Sequence, residues 1–301
     1  MFETPANVLE FFFEVARTKG KYKINVEENS ALIKPRLEEE YYKPVIIIKD
    51  LNKFKIALEN FICALNNFYR KNNNLQVYHN LEYFFSNLFF NMTTSDALDF
   101  TEYVNRRSYF LLNQHFQEFD TPQLLFSASE INIYAERILE EPGLETPYVL
   151  SFWIEIEKNK YQLPLIRYAI DENNVCHLFS IQYGRNRSND IPDIFKTKIN
   201  QVNRGVKKYR NVSPTFVIVF RLFLQILKNK GIQKIKVPDF LFGRYKHYYR
   251  AQGTNRSDEI LERILNKFLI LLKRMEYQFS IFKIDNYPNE IDSYTHISLK
   301  K

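Results

Sequence analysis

The spacing of apolar residues changes sharply near the middle of this chain. The change coincides with its strongest punctuation, Glu141-Pro142-Gly143 with Pro147 just beyond. Ahead of that break apolar residues recur mainly at i, i+3 and i+4; directly behind it they alternate, and helical spacing returns from 190. A 3.6-residue period gives a helix one apolar stripe, and a period of two gives a strand one apolar face. The two parts must therefore be built from different elements.

In the first part, Thr4-Pro5 opens a helix whose face is Val8, Leu9, Phe12, Phe13 and Ala16, and Gly20 closes it. A short strand is expected near 44–48. Asp50 then caps a helix burying Leu51, Phe54, Leu58, Phe61, Ile62, Leu65 and Phe68. Further helices are predicted at about 80–91, 95–117 and 128–140. In the second part, Phe152–Glu157 alternates as a strand. Residues 163–170 and 175–183 read as a hairpin around Asp171-Glu172-Asn173-Asn174. A helix is predicted from 190, and Ser213-Pro214 opens another that ends at Lys228–Gly231. A strand at 232–237, a helix capped by Ser257, and strands near 277–284 and 294–299 follow. The fold class is α+β, a helical N-terminal half followed by a mixed sheet with interleaved helices. Its regions are 1–146 and 147–301, as two domains or one continuous body.

Charge follows the same division. Residues 1–150 carry 15 Lys+Arg against 21 Asp+Glu, and residues 151–301 carry 27 against 14. Residues 183–256 alone hold 17 Lys+Arg against three Asp. A field of one sign concentrated in one region draws anionic partners. Arg204, Lys207 and Lys208, at i, i+3 and i+4, share a helix face, and Arg244, Lys246, Tyr248 and Arg250 mix cations with rings. Clustered cations neutralise phosphates and aromatic faces stack on unpaired bases. The reading this supports is a non-catalytic nucleic-acid-binding accessory protein of the kind carried on bacterial mobile elements. An anionic small molecule or an acidic protein is the alternative partner. A solvated helix face in a lysine-rich chain explains part of the charge but not the acidic first half.

Several chemistries find no support. The seven glycines are not spaced for a dinucleotide or phosphate loop. The five histidines are scattered and the two cysteines unpaired, so neither a metal site nor a cofactor is expected. Cys63 and Cys176 lie far apart, which fits a reducing cytoplasm better than a disulfide framework. Cys176 and His177 are neighbours on a strand and so point to opposite faces. Glu155 and Glu157 share a face with Trp153 and read as the solvent side of a half-exposed strand. No signal peptide is expected, and the apolar stretch 214–227 is broken by Arg221 and Gln225, so no membrane span is expected either.

Arg167 stands in the apolar row Leu163, Leu165, Ala169, where a charge is costly unless paired. It implies an edge position, an anion contact or a salt bridge. Gln182 sits on the partner strand ahead of Arg185 and Arg187.

Residues 175–237, a strand, a basic loop, helix and then a strand, resemble the central part of GNAT-type acyltransferases. The glycine-bearing phosphate loop of that family, Arg/Gln-x-x-Gly-x-Gly/Ala, is replaced here by Arg185-Asn186-Arg187-Ser188, and two helical patterns rather than one separate the strands. The resemblance implies an enzyme acting on a phosphorylated or coenzyme-linked substrate, with Arg185 and Arg187 holding the anion and Arg167 the substrate. No catalytic residue carries over.

Overall fold

The computed structural model describes residues 1–36, 45–73, 75–90, 100–113, 115–128, 131–140, 146–182, 214–238, 269–277, 280–284 and 294–300. The chain divides into two compact units, residues 1–114 with 140–147 and residues 115–139 with 148–301.

The first unit opens with helix α1 (Val8–Thr18), whose N-cap Asn7 accepts a hydrogen bond from the Glu10 backbone N–H. Strands β1 (Tyr22–Glu27), β2 (Ser30–Pro35) and β3 (Ile46–Ile48) then form an antiparallel sheet in that order. Only the last of these strands was expected from the sequence. The β1–β2 turn uses Glu28 at φ 37 rather than a glycine, so its usual sequence mark is missing. Helices α2 (Leu51–Lys71), α3 (Leu81–Phe90) and α4 (Phe100–Leu112) follow. Asp50 caps α2 by accepting from the N–H groups of Asn52 and Lys53, both at 3.0 Å. Phe12 is the hub of the core, its ring within 5.0–5.7 Å of Phe54, Phe85, Phe89 and Phe100. Gly20 permits the chain to leave α1 at close range: a Cβ there would lie 2.7 Å from the Tyr22 ring and 2.8 Å from the Ala16 carbonyl oxygen.

The second unit holds β4 (Gln123–Ala128), β5 (Ile131–Leu139), β6 (Tyr148–Ile156), β7 (Asn159–Gln162), β8 (Leu165–Ile170), β9 (Val175–Gln182), α5 (Pro214–Asn229), β10 (Lys234–Pro238), β11 (Phe282–Ile284) and β12 (Tyr294–Leu299). A 3-10 turn, Gln117–Asp120, precedes them, and residues 269–277 are helical. The strands form one nine-stranded sheet in the order β11-β12-β10-β9-β8-β6-β5-β4, with β7 paired to β6. Among the described ladders only β9–β10 is parallel. The α+β class, with helices in the N-terminal half and a mixed sheet after them, is the one the sequence implies.

Beyond the unexpected strands β1, β2, β4 and β7, one expected helix is a strand. Residues 131–139, expected in a helix, are strand β5, paired over nine positions with β6 from Ile131↔Ile156 to Leu139↔Tyr148. Ile131, Ile133 and Ala135 fill its inner face together with Arg137. The Arg137 side chain is 1% exposed and bonds Asp120 at 2.6 Å and the His115 carbonyl at 3.0 Å. Its guanidinium also lies 5.5 Å from the centre of the Tyr148 ring. That arrangement clamps the 3-10 turn to the sheet, which satisfies the buried charge.

Candidate functional site

The site is built where β9 meets β10. The β8–β9 turn is tied by Asp171, whose Oδ1 accepts from the N–H groups of Asn173 and Val175 at 2.9 and 3.0 Å. Its Oδ2 lies 2.7 Å from Nε2 of the buried His177. Burial pushes the Asp171 carboxyl up, but the bonds from His177, Val175 and Asn173 outweigh it and hold it below its ordinary value. The ladder then runs Ile170↔Cys176, Ala169↔His177 and Tyr168↔Leu178, and jumps to Arg167↔Ser180. Phe179 is thus the extra residue of a β-bulge, which bends its strand.

On its other edge β9 pairs with β10 at three positions, Val175↔Lys234, Cys176↔Ile235 and His177↔Lys236. Beyond them β9 continues to Gln182 against β8, and β10 continues to Pro238 against β12. The parallel ladder therefore stops just before the bulge while both strands run on. Pro238 contributes to the stop, since it has no N–H to donate. In open sheets with parallel strands, ligands bind at the carboxyl ends of strands where neighbours part. This junction is at the carboxyl end of the single parallel pair among the described ladders.

Two faces line it. Toward the core, Tyr168, Cys176, Leu178, Ile235 and Val237 are buried, and the Tyr168 ring lies 5.8 Å from Phe223 of α5. Burial pushes the Cys176 thiol far up, with the Asp171 charge adding to it, which disfavours the thiolate. The opposite face carries Arg167, Ala169, His177, Ser180 and Lys236, by register. Arg167 is not at an edge, as β8 lies between β6 and β9. It is half-buried and stands directly opposite Val149 and Ser180.

Of the residues the sequence offered for nucleic-acid or anion binding, Arg167 alone is described. Arg185, Arg187, Arg204, Lys207, Lys208, Arg244, Lys246, Tyr248 and Arg250 lie outside the described residues, as do residues 183–213 and 239–268 generally. Within the basic tract, Lys230 pairs with Glu118, and burial holds the Arg221 guanidinium below its ordinary value. Glu155 is on β6 with Lys160 and Asn132 opposite it, whereas Glu157 lies in the following turn at φ 53. The described residues contain no group of three or more His, Cys, Asp or Glu able to hold a metal ion. No helix among them is long and apolar enough to cross a membrane. Sequence reasoning missed Ser180, whose only signal is a position that depends on the bulge, and Arg137, whose signal was a charge in an alternating apolar row.

Comparison of the chain with protein-family models, with curated proteins and with solved structures finds no match in any of the three.

Proposed function

We propose that the second unit binds an extended, phosphate-bearing coenzyme thioester at the β9–β10 junction and acts as an acyltransferase-like enzyme. The observation that carries this reading is the parallel ladder that ends at His177↔Lys236 while both strands continue. An extended ligand with amide groups is suited to the place of the missing ladder, by the logic of strand addition. Arg185 and Arg187 follow β9 directly in sequence, so the phosphate end of such a ligand meets cations. Strand β9, helix α5 and the parallel strand β10 follow one another in the order that the resemblance to GNAT-type acyltransferases implies.

Titration calorimetry with acetyl-coenzyme A tests the reading. Saturation at one equivalent is expected, with binding at least tenfold weaker after Arg185→Ala with Arg187→Ala. Deleting Phe179 removes the bulge, lets the ladder close and abolishes binding, while far-UV circular dichroism stays unchanged. Absence of saturable binding by the wild-type chain overturns the proposal.

The charge of residues 183–256 favours a second reading, nucleic-acid binding through Arg204, Lys207, Lys208, Arg244, Lys246 and Arg250. Its mark is oligonucleotide affinity that falls steeply with salt.

A further inference from the structure

We propose that the turn at residues 115–120 is an acid-released latch on the sheet of the second unit, with the His115 imidazole as its trigger. Arg137 of β5 holds the turn at both ends: its Nε donates to Asp120 at 2.6 Å and its Nη1 to the His115 carbonyl at 3.0 Å. The same carbonyl accepts from the Tyr168 hydroxyl of β8 at 3.5 Å. From α5, Lys230 pairs with Glu118. Between these ties Phe116 stands at φ 63 and ψ 41, a left-handed conformation that a residue with a side chain keeps only while its surroundings hold it there. The turn is thus strained when closed and held by a few nameable contacts.

The Nε2 atom of His115 is buried and has no hydrogen-bond partner among the described residues. The bond from the ring to the Ile170 backbone carbonyl therefore runs through Nδ1, which makes Nε2 the unprotonated nitrogen of a neutral imidazole. Burial pushes this imidazole down, the Ile170 bond pushes it up by less, and the Arg137 charge pushes it down further. A proton arriving on Nε2 becomes a buried donor with nothing to accept it, within reach of the guanidinium that holds the latch. The ring keeps that proton only by moving to water. Its own carbonyl, which anchors Arg137 and Tyr168, moves with it.

The neighbouring groups leave His115 as the one set to change charge here. Burial keeps the Tyr148 and Tyr168 hydroxyls and the Cys176 thiol, on β6, β8 and β9, protonated at neutral and mildly acid pH. On the turn, Asp120 is engaged by Arg137 and Glu118 by Lys230. Asp171, next to Ile170, is held below its ordinary value, and its partner His177 supplies a control. The His115 ring takes up a proton more readily once released, so the released form gains as pH falls from the ordinary 6.5 toward the lowered latched value. Release also reaches the β9–β10 junction. Phe116 stacks on the Tyr168 ring at 5.2 Å, and that ring packs on Phe223 on the core side of the junction. Opening the turn withdraws this support, whatever the junction binds.

Amide hydrogen exchange on the full chain at pH 7.5 and 5.5, corrected for the intrinsic pH dependence of exchange, tests the latch. The reporter is the Phe119 N–H, which donates to the Phe116 carbonyl at 3.0 Å. Its opening should rise by about threefold or more at the lower pH, while the β5–β6 ladder keeps its protection. His115→Gln, whose side chain takes up no proton, should show no rise, and His177→Gln should keep it. The His115 ring, followed by NMR in the wild type, should titrate with a midpoint below 6.5. No rise in the wild type overturns the latch, as does an equal rise in His115→Gln or a ring midpoint at or above 6.5. A rise lost in His177→Gln assigns the trigger to that histidine and overturns the proposal as well. Should His115→Gln fail to fold, the ring titration decides.

Discussion

Asp171 concentrates three bonds on one side chain: two from the N–H groups of Asn173 and Val175, and one with His177. The turn signal around it was plain in the sequence, because Asx residues bond their own following backbone. Its grip on His177 was not, since that contact depends on the register of β9. Hydrogen bonds to a charged group are worth about 1.5–3 kcal/mol net, so Asp171→Ala should lower unfolding stability by about 3 kcal/mol in denaturant titration. The pH dependence follows from the direction of the shift. The folded-state value lies below the ordinary 3.8, so the stabilisation is complete above that value and is lost as pH falls through the lowered one. The acid limb of a stability–pH curve should flatten in Asp171→Asn. An unchanged limb would show that the pair contributes nothing.

Among the elements, β5 and β6 show what periodicity leaves open. Residues 131–139 fit a helical face through Ile131, Tyr134, Ala135 and Ile138, and equally a strand face through Ile131, Ile133 and Ala135. The nine-position ladder with β6 resolves the choice, because pairing satisfies the backbone along its whole length. On the outer face of that ladder Tyr134 stacks on Trp153 at 4.2 Å and 14°, and Lys160 Nζ lies 4.3 Å from the centre of the Trp153 ring. The single tryptophan is therefore a cross-strand brace, covered by a neighbour on either side. Stacking and cation–π contacts of this kind are worth about 0.5–1.5 and 0.5–1 kcal/mol. Trp153→Ala should thus cost about 1–2 kcal/mol in the chemical denaturation midpoint. A variant as stable as the wild type would rule out the brace.

Over the whole molecule the two units divide the chemistry. The first is held by a phenylalanine hub around Phe12, and the second by a mixed sheet whose strands part at β9 and β10. Charge reversal at Lys207 and Lys208 separates the two functional readings at this scale. Acetyl-coenzyme A affinity should stay within twofold of wild type in Lys207→Glu with Lys208→Glu, and any retention on an oligonucleotide column should disappear. A tenfold loss of coenzyme affinity would assign those lysines to the coenzyme instead. The sequence by itself determined the α+β class, the long helices and the central hairpin, because each rests on local spacing, capping and turn chemistry. It also determined where cations accumulate, since charge is additive along a chain. Only the tertiary structure decided that β10 returns parallel to β9, that the ladder stops three pairs in, and that Arg167 faces Ser180. Those facts depend on long-range register, and a one-residue bulge at Phe179 changes them without leaving a mark on the local pattern.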